Sequence, residues 1–141
     1  MSFFNTKLLK GGDKVQRNLK CLIIEPNKLP YEKVLPNNLK SKQEAVRGYI
    51  EYAYLEDRED VCLICNEEGK LLCMEPNRST GYDIICGPIV LVGYDIELGE
   101  DRSLTKDQVK FYKNYFGKKS ISDMENHLLA IQIKKQRNME I

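Results

Sequence analysis

This 141-residue chain has no apolar run approaching the roughly 20 residues that cross a bilayer. Its longest apolar stretch, Ile84 to Val92, is broken by Gly87 and Pro88. Met1 to Lys10 holds Phe3, Phe4, Leu8 and Leu9 but no continuous signal-peptide core, so the expected location is the cytoplasm, with no membrane partner. A lone histidine, His127, leaves a Cys-His or Ser-His nucleophile short of parts. No second Cys-x-x-Cys accompanies Cys62-Leu63-Ile64-Cys65, and the glycines match neither a Walker loop nor a dinucleotide fingerprint. A continuous basic stripe with interleaved aromatics is also missing, so nucleic acid is not the favoured partner. These gaps point to a protein that is not an enzyme and carries no cofactor or metal.

What is present is ordinary globular composition, 42% hydrophobic and 30% charged, at a length that suits one domain. The net charge of +1 hides an uneven spread. Residues 1–43 hold nine Lys or Arg against three acids, residues 44–101 four against fourteen, and residues 102–141 nine against four. An acidic middle between basic ends can orient a partner electrostatically. The five cysteines (Cys21, Cys62, Cys65, Cys73, Cys86) are odd in number, and four lie in apolar runs, as expected of reduced thiols packed as small hydrophobes. Cys62 and Cys65 fall in a strand, where residues three apart point to opposite faces and cannot share an ion.

The order of elements implies an α+β fold, a small mixed and mainly antiparallel sheet with a short inserted helix and two C-terminal helices. Lys20–Glu25 and Tyr31–Leu35 read as paired strands with a turn at Pro26-Asn27. Leu39–Arg47 reads as a helix capped by Asn37 or Asn38 and stopped by Gly48. Tyr49–Leu55 alternates as a strand, Glu56–Asp60 is an acidic loop, and Val61–Cys65 is a further strand. Asn66-Glu67-Glu68-Gly69 reads as a hairpin turn into a strand over Lys70–Cys73, with Gly69 at positive φ. Met74–Tyr82 is expected to be irregular, Asp83–Cys86 and Ile89–Gly93 to be extended, and Tyr94–Arg102 to be an acidic loop. Thr105 and Gln108 form a capping box for a helix ending at Gly117, and Ser122 and Glu125 form another for a last helix. The divisions are an arm over 1–19, a core domain over 20–117 and an amphipathic helix over 118–141.

Asn66, Glu67, Asn77 and Arg78 are the candidate ligand or partner residues, because they sit in a turn and loop beside a sheet and Arg78 offers a planar fork to an anion. Met124, Leu128 and Ile131 form a stripe at helical spacing, followed by Lys134, Lys135 and Arg137, and are the candidate oligomer or partner helix. A homodimer is the oligomer expected from that stripe.

Several segments in order resemble one family: Leu22-Ile23-Ile24-Glu25-Pro26, Gly48-Tyr49-Ile50-Glu51, Cys62 to Leu71, Pro76-Asn77-Arg78 and Asp83-Ile84-Ile85-Cys86-Gly87, then Val92-Gly93 and Ser103-Leu104-Thr105. The chain from residue 20 to about 117 resembles the domain of unknown function 3846. The resemblance implies a protein of phages, plasmids or conjugative elements in a bacterial cytoplasm, and it supplies no reaction or catalytic residue. The leading expectation is a small binding protein that antagonises host defence by occupying a host protein or sequestering a small signalling nucleotide. The alternatives are an accessory protein of element replication or transfer that touches nucleic acid, and a small hydrolase working through carboxylates.

Overall fold

The computed structural model describes residues 17–118. They form an α+β fold of eight strands and two helices. β1 (Asn18–Ile24), β2 (Tyr31–Pro36), β3 (Ile50–Leu55), β4 (Arg58–Asn66) and β7 (Ile89–Asp95) make an antiparallel sheet in the order β2-β1-β7-β4-β3. β8 (Glu100–Arg102) pairs with the outer half of β7, beside β1. β5 (Pro76–Ser79) and β6 (Ile84–Cys86) form a separate two-stranded ribbon. β1 opens at Asn18 and already buries Leu19, so the domain begins inside the segment read as an arm.

Side-chain alternation gives the sheet two buried faces, and each takes one helix. Leu22, Ile24, Val61, Leu63, Ile89 and Leu91 pack on one side under Tyr112 and Phe116 of α2 (Lys106–Lys118). Leu19, Cys21, Cys62, Ile64, Val90 and Val92 pack on the other side with Val46 of α1 (Leu39–Val46). This explains the runs Leu22-Ile23-Ile24 and Val61-Cys62-Leu63-Ile64, which are apolar at every position because both faces are covered. Cys62 and its neighbour Leu63 fall in opposite clusters, as a strand demands.

The helix starts follow their caps. Asn38 Oδ1 accepts from Ser41 N at 2.7 Å at the head of α1. Thr105 and Gln108 exchange both capping-box bonds at 2.9 and 3.1 Å at the head of α2. The helix ends differ from expectation. Arg47, not Gly48, adopts the left-handed cap at φ 64°, and α2 passes through Gly117 to Lys118. The last helix, with Met124, Leu128, Ile131, Lys134, Lys135 and Arg137, lies outside the described residues.

Three loop readings are corrected. Asn66–Gly69 does not open a β-hairpin. Residues 67–73 coil in successive turns, with Leu72 N donating to Glu68 O at 2.8 Å and Met74 N to Gly69 O at 2.9 Å. Leu71, 76% exposed, has no core to enter, so the apolar pair Leu71-Leu72 does not make a strand. Glu56–Asp60 contributes only the two residues between β3 and β4 as turn, because Arg58 onward pairs into the sheet. Tyr94–Arg102 is a hairpin in which Tyr94 pairs with Asp101 and Asp95 with Glu100.

Gly69 does not lie at positive φ; it is needed because a Cβ there would sit 2.3 Å from the carbonyl oxygen of Cys86. The turn region therefore lies directly against β6. Gly69→Ala should force one of these backbones to move and cost about 1–3 kcal/mol, the usual range for overpacking. Urea denaturation of the variant checks this, and an unchanged midpoint would place the two backbones further apart.

Candidate functional site

The polar residues singled out in the sequence separate into two places. Asn66 closes β4, and its side-chain amide donates to the carbonyls of Val46 and Arg47 at 3.0 and 3.2 Å. Its Oδ1 accepts from Glu68 N at 2.7 Å. Asn66 thus ties the end of α1 to the start of the 67–73 turns. Glu67 is exposed beside it, on the rim of a cleft of about 300 Å³ that also holds Glu51, Lys70 and Asp83. Lys70 and Asp83 pair across that cleft.

Asn77 and Arg78 lie elsewhere, in β5 rather than in an irregular loop, and both are buried, at 2% and 7% exposure. Asn77 donates to Ile24 O and Gly87 O, each at 2.8 Å, and so joins the end of β1 to the link between β6 and β7. Arg78 Nε donates to Phe116 O at 3.0 Å, one η nitrogen donates to Lys28 O at 2.7 Å, and the other donates to Asn77 Oδ1 at 2.9 Å. Phe116 O belongs to the last turn of α2, where carbonyls lack helical partners and the dipole favours a cation. Burial pulls the Arg78 pKa below its usual value. The fork is spent on the protein's own backbone, so the reading of Arg78 as an exposed anion receptor is replaced by a structural one.

A second buried polar group lies under α1. Lys42 Nζ and Tyr52 Oη both donate to Asp101 Oδ2 at 2.6 Å, linking α1, β3 and β8. Burial, then the bond to Asp101, pushes the Tyr52 hydroxyl pKa far above its ordinary value. Asp60 accepts from Gln108 Nε2 and Tyr112 Oη at 2.9 and 2.8 Å and anchors α2 to β4. Burial alone would raise its carboxyl, but those hydrogen bonds, its own backbone N–H and the Arg58 charge together hold it below the usual value.

A further open concavity is one that composition did not single out. At one end of the sheet the β3–β4, β5–β6 and β7–β8 turns stand together around a concavity of about 700 Å³. Tyr54, Tyr82, Tyr94 and Ile96 line it, with Asp57, Arg58 and Glu59 on the acidic strand margin. The turns are fixed. Glu56 N donates to Thr80 O at 2.9 Å, clamping the first to the second, and Thr80 Oγ1 accepts from Tyr82 N and Asp83 N. Asp95 Oδ1 accepts from Glu97 N and Leu98 N in the third turn. Tyr94 packs edge-on to Tyr54 with ring centres 6.0 Å apart, and the Arg58 guanidinium lies 4.4 Å from the centre of the Phe111 ring. Tyr82, at 69% exposure, projects from its turn. The available signal for this site was an aromatic residue in or just before each of three polar segments, Tyr54 ahead of Glu56–Asp60, Tyr82 at the end of Met74–Tyr82 and Tyr94 at the head of Tyr94–Arg102.

The cysteines hold no ligand cluster: among the described residues no three His, Cys, Asp or Glu side chains gather as a metal site. Burial pushes Cys21 and Cys65 up to about 11 and Cys62 higher still, and it raises Cys86 as well. Cys73 is exposed.

A family model described as Domain of unknown function (DUF3846) matches residues 19–117. No curated protein and no solved structure matches the chain.

Two outcomes follow from this geometry. Arg78→Ala leaves the buried carbonyl of Phe116 and the partly buried carbonyl of Lys28 without their donor, so it should destabilise the domain by about 2–4 kcal/mol, measured in urea. A midpoint within error of wild type would return Arg78 to the surface. In native protein near pH 8, a thiol reagent should modify Cys73 rapidly, half-buried Cys86 more slowly, and the buried Cys21, Cys62 and Cys65 only after denaturation, because their thiolates are disfavoured and shielded. Rapid modification of Cys62 in the folded state would overturn that assignment.

Proposed function

The chain belongs to the family described as Domain of unknown function (DUF3846), and we propose that it is a non-enzymatic binding module that grips a basic protein segment with its three hairpin tips. The observation that carries this reading is the concavity between those tips. It joins exposed tyrosines and Ile96 to an acidic margin on turns already held by internal hydrogen bonds. Tyrosine supplies large contact area with few rotamers to freeze, and it is enriched where binding energy concentrates. Fixed turns lower the ordering cost of association. Glu56, Asp57 and Glu59 surround a single Arg58, whose guanidinium is already engaged with Phe111, so the partner's complementary charge is positive.

This reading favours a protein over a small signalling nucleotide, because an acidic margin repels phosphate. It also gives little support to a carboxylate hydrolase. Asp101 is held by Lys42 and Tyr52, and Asp60 by Gln108 and Tyr112, so the two most structured carboxylates serve as anchors. In a phage or other mobile element, such a module in the host cytoplasm would antagonise a host defence protein by occupying it.

The test is affinity capture from a bacterial lysate followed by titration of the captured protein. Tyr54→Ser with Tyr82→Ala should weaken that protein's binding by about tenfold or more, since truncated hot-spot aromatics cost at least ~2 kcal/mol. The unfolding midpoint should barely move, because both side chains are exposed. Undiminished affinity in the double variant would move the binding site off the tips, and a nucleotide carried through purification would favour sequestration instead.

A further inference from the structure

On the face of the sheet that α2 covers, the helix leaves the β2 edge open. A groove of about 320 Å³ runs there between α2 and the β1–β2 pair. Its floor is apolar, with Leu104 and Val109, and Val34 lies on the same face because it pairs directly with Lys20 across β1 and β2. Val34 is 57% exposed, an apolar side chain on an edge strand with nothing in the described residues over it. The groove is rimmed by Lys20 from β1 and by Lys106, Lys110 and Lys113 from α2. The helical three sit at i, i+4 and i+7, on one side of the helix.

One acid answers these four cations. Glu32 lies 3.4 Å from Lys113. Among the described residues, Lys20, Lys106 and Lys110 have no ion-pair partner. Two local rules are broken at once. Lys106 and Lys110 are like charges at i, i+4, which destabilise a helix, and Lys106 stands at the N-terminal end, where the macrodipole disfavours a cation. Departures from local consistency concentrate at functional surfaces. An anionic ligand would reverse the sign of both.

From this we infer that the groove docks an acidic, partly apolar segment of a partner protein. Charge complementarity fixes the sign, since unpaired lysines line both walls. The apolar part chooses the class: half-buried Val109 in the groove and exposed Val34 beside it offer contact area that a phosphate backbone has no groups to use, whereas leucine or valine side chains between acids would be buried there. The α2 surface carries no free aromatic platform for bases either, because the exposed ring of Phe111 is taken by Arg58. This surface is separate from the hairpin tips and opposite to them in sign, so its occupancy does not depend on theirs.

The test uses the full chain and a short fluorescein-labelled peptide with two glutamates for each leucine, followed by anisotropy. Binding should be saturable, should weaken as salt rises, and should drop by about tenfold or more in Lys106→Glu/Lys110→Glu. Both positions are exposed on the helix, and circular dichroism confirms that the variant folds; Lys106→Ala/Lys110→Ala serves as the milder second variant. Replacing the peptide's leucines by glycine should also weaken binding, which an electrostatic film on the surface would not show. Tyr54→Ser/Tyr82→Ala should leave this binding unchanged. Absent anisotropy change at peptide concentrations of about 1 mM, equal affinity of wild type and the charge-reversed variant, or tighter binding of a single-stranded DNA of matched charge would each overturn the inference.

Discussion

The side chains of Asn77 and Arg78 tie β5 to four other parts of the chain. Together they reach the end of β1, the β6–β7 link, the β1–β2 turn and the last turn of α2. The two-stranded β5–β6 ribbon shares no ladder with the main sheet, so its position rests on these bonds, on the bond from Glu56 N to Thr80 O, on buried Ile84 and on the approach of Gly69 to Cys86. A buried guanidinium would be costly without satisfied donors. Here backbone carbonyls and Asn77 Oδ1 satisfy it, and one of those carbonyls is an orphan at a helix C-terminus that needs a donor anyway. The same contact that relieves Arg78 therefore also closes α2 against the sheet. The β5–β6 turn that carries Tyr82 is held to β3–β4 separately, by the bond from Glu56 N to Thr80 O.

On the opposite face, Asp101 does for α1 what Arg78 does for α2. Lys42 is a helix residue with an apolar stem and a charged head, and the head is neutralised at 2.6 Å by an acid from β8. Removing either partner would leave a buried charge, whereas Tyr52 alone adds a hydrogen bond to the same oxygen. Each helix is thus attached by apolar packing along its length and by directed polar contacts: Arg78 and Asp60 for α2, Asp101 and Asn66 for α1. The apolar part is tolerant of small shifts, and the polar part sets the register.

Elements with strong local causes were legible in the sequence. β1 and β2 are apolar or alternating runs joined by a turn, α1 begins at an asparagine cap, and the Thr105–Gln108 box forms with both bonds. Elements whose cause is non-local were not. β5 and β8 are short and polar, Pro-Asn-Arg-Ser and Glu-Asp-Arg, and become strands only because β6 and β7 offer them a ladder. Asn77 and Arg78 look exposed for the same reason, since polarity signals surface unless the partners are known, and theirs lie up to 53 residues away in sequence. Leu71 and Leu72 mislead in the reverse direction, as apolar residues in turns that have no core beneath them. The tip tyrosines sit in three separate segments, and only the sheet order brings those segments to one end.

That sheet order also explains why the surface charges do not cancel. The acidic middle of the chain supplies β3, β4 and their turn, at one edge of the sheet, while the basic flanks supply β1, β2 and α2, toward the other edge. β7 stands between the β3–β4 pair and the β1–β2 pair, so the acidic strand margin and the lysine-lined groove lie on different parts of the sheet. A chain of nearly balanced net charge therefore presents two surfaces of opposite sign, each with apolar side chains at its centre. Such separation costs little at physiological ionic strength, where charges more than about 8 Å apart are largely screened. It costs more within the groove, where Lys106 and Lys110 are neighbours on one helix turn. The unrelieved repulsion is therefore local to the groove, and there an acidic segment would add stability to the fold as it binds.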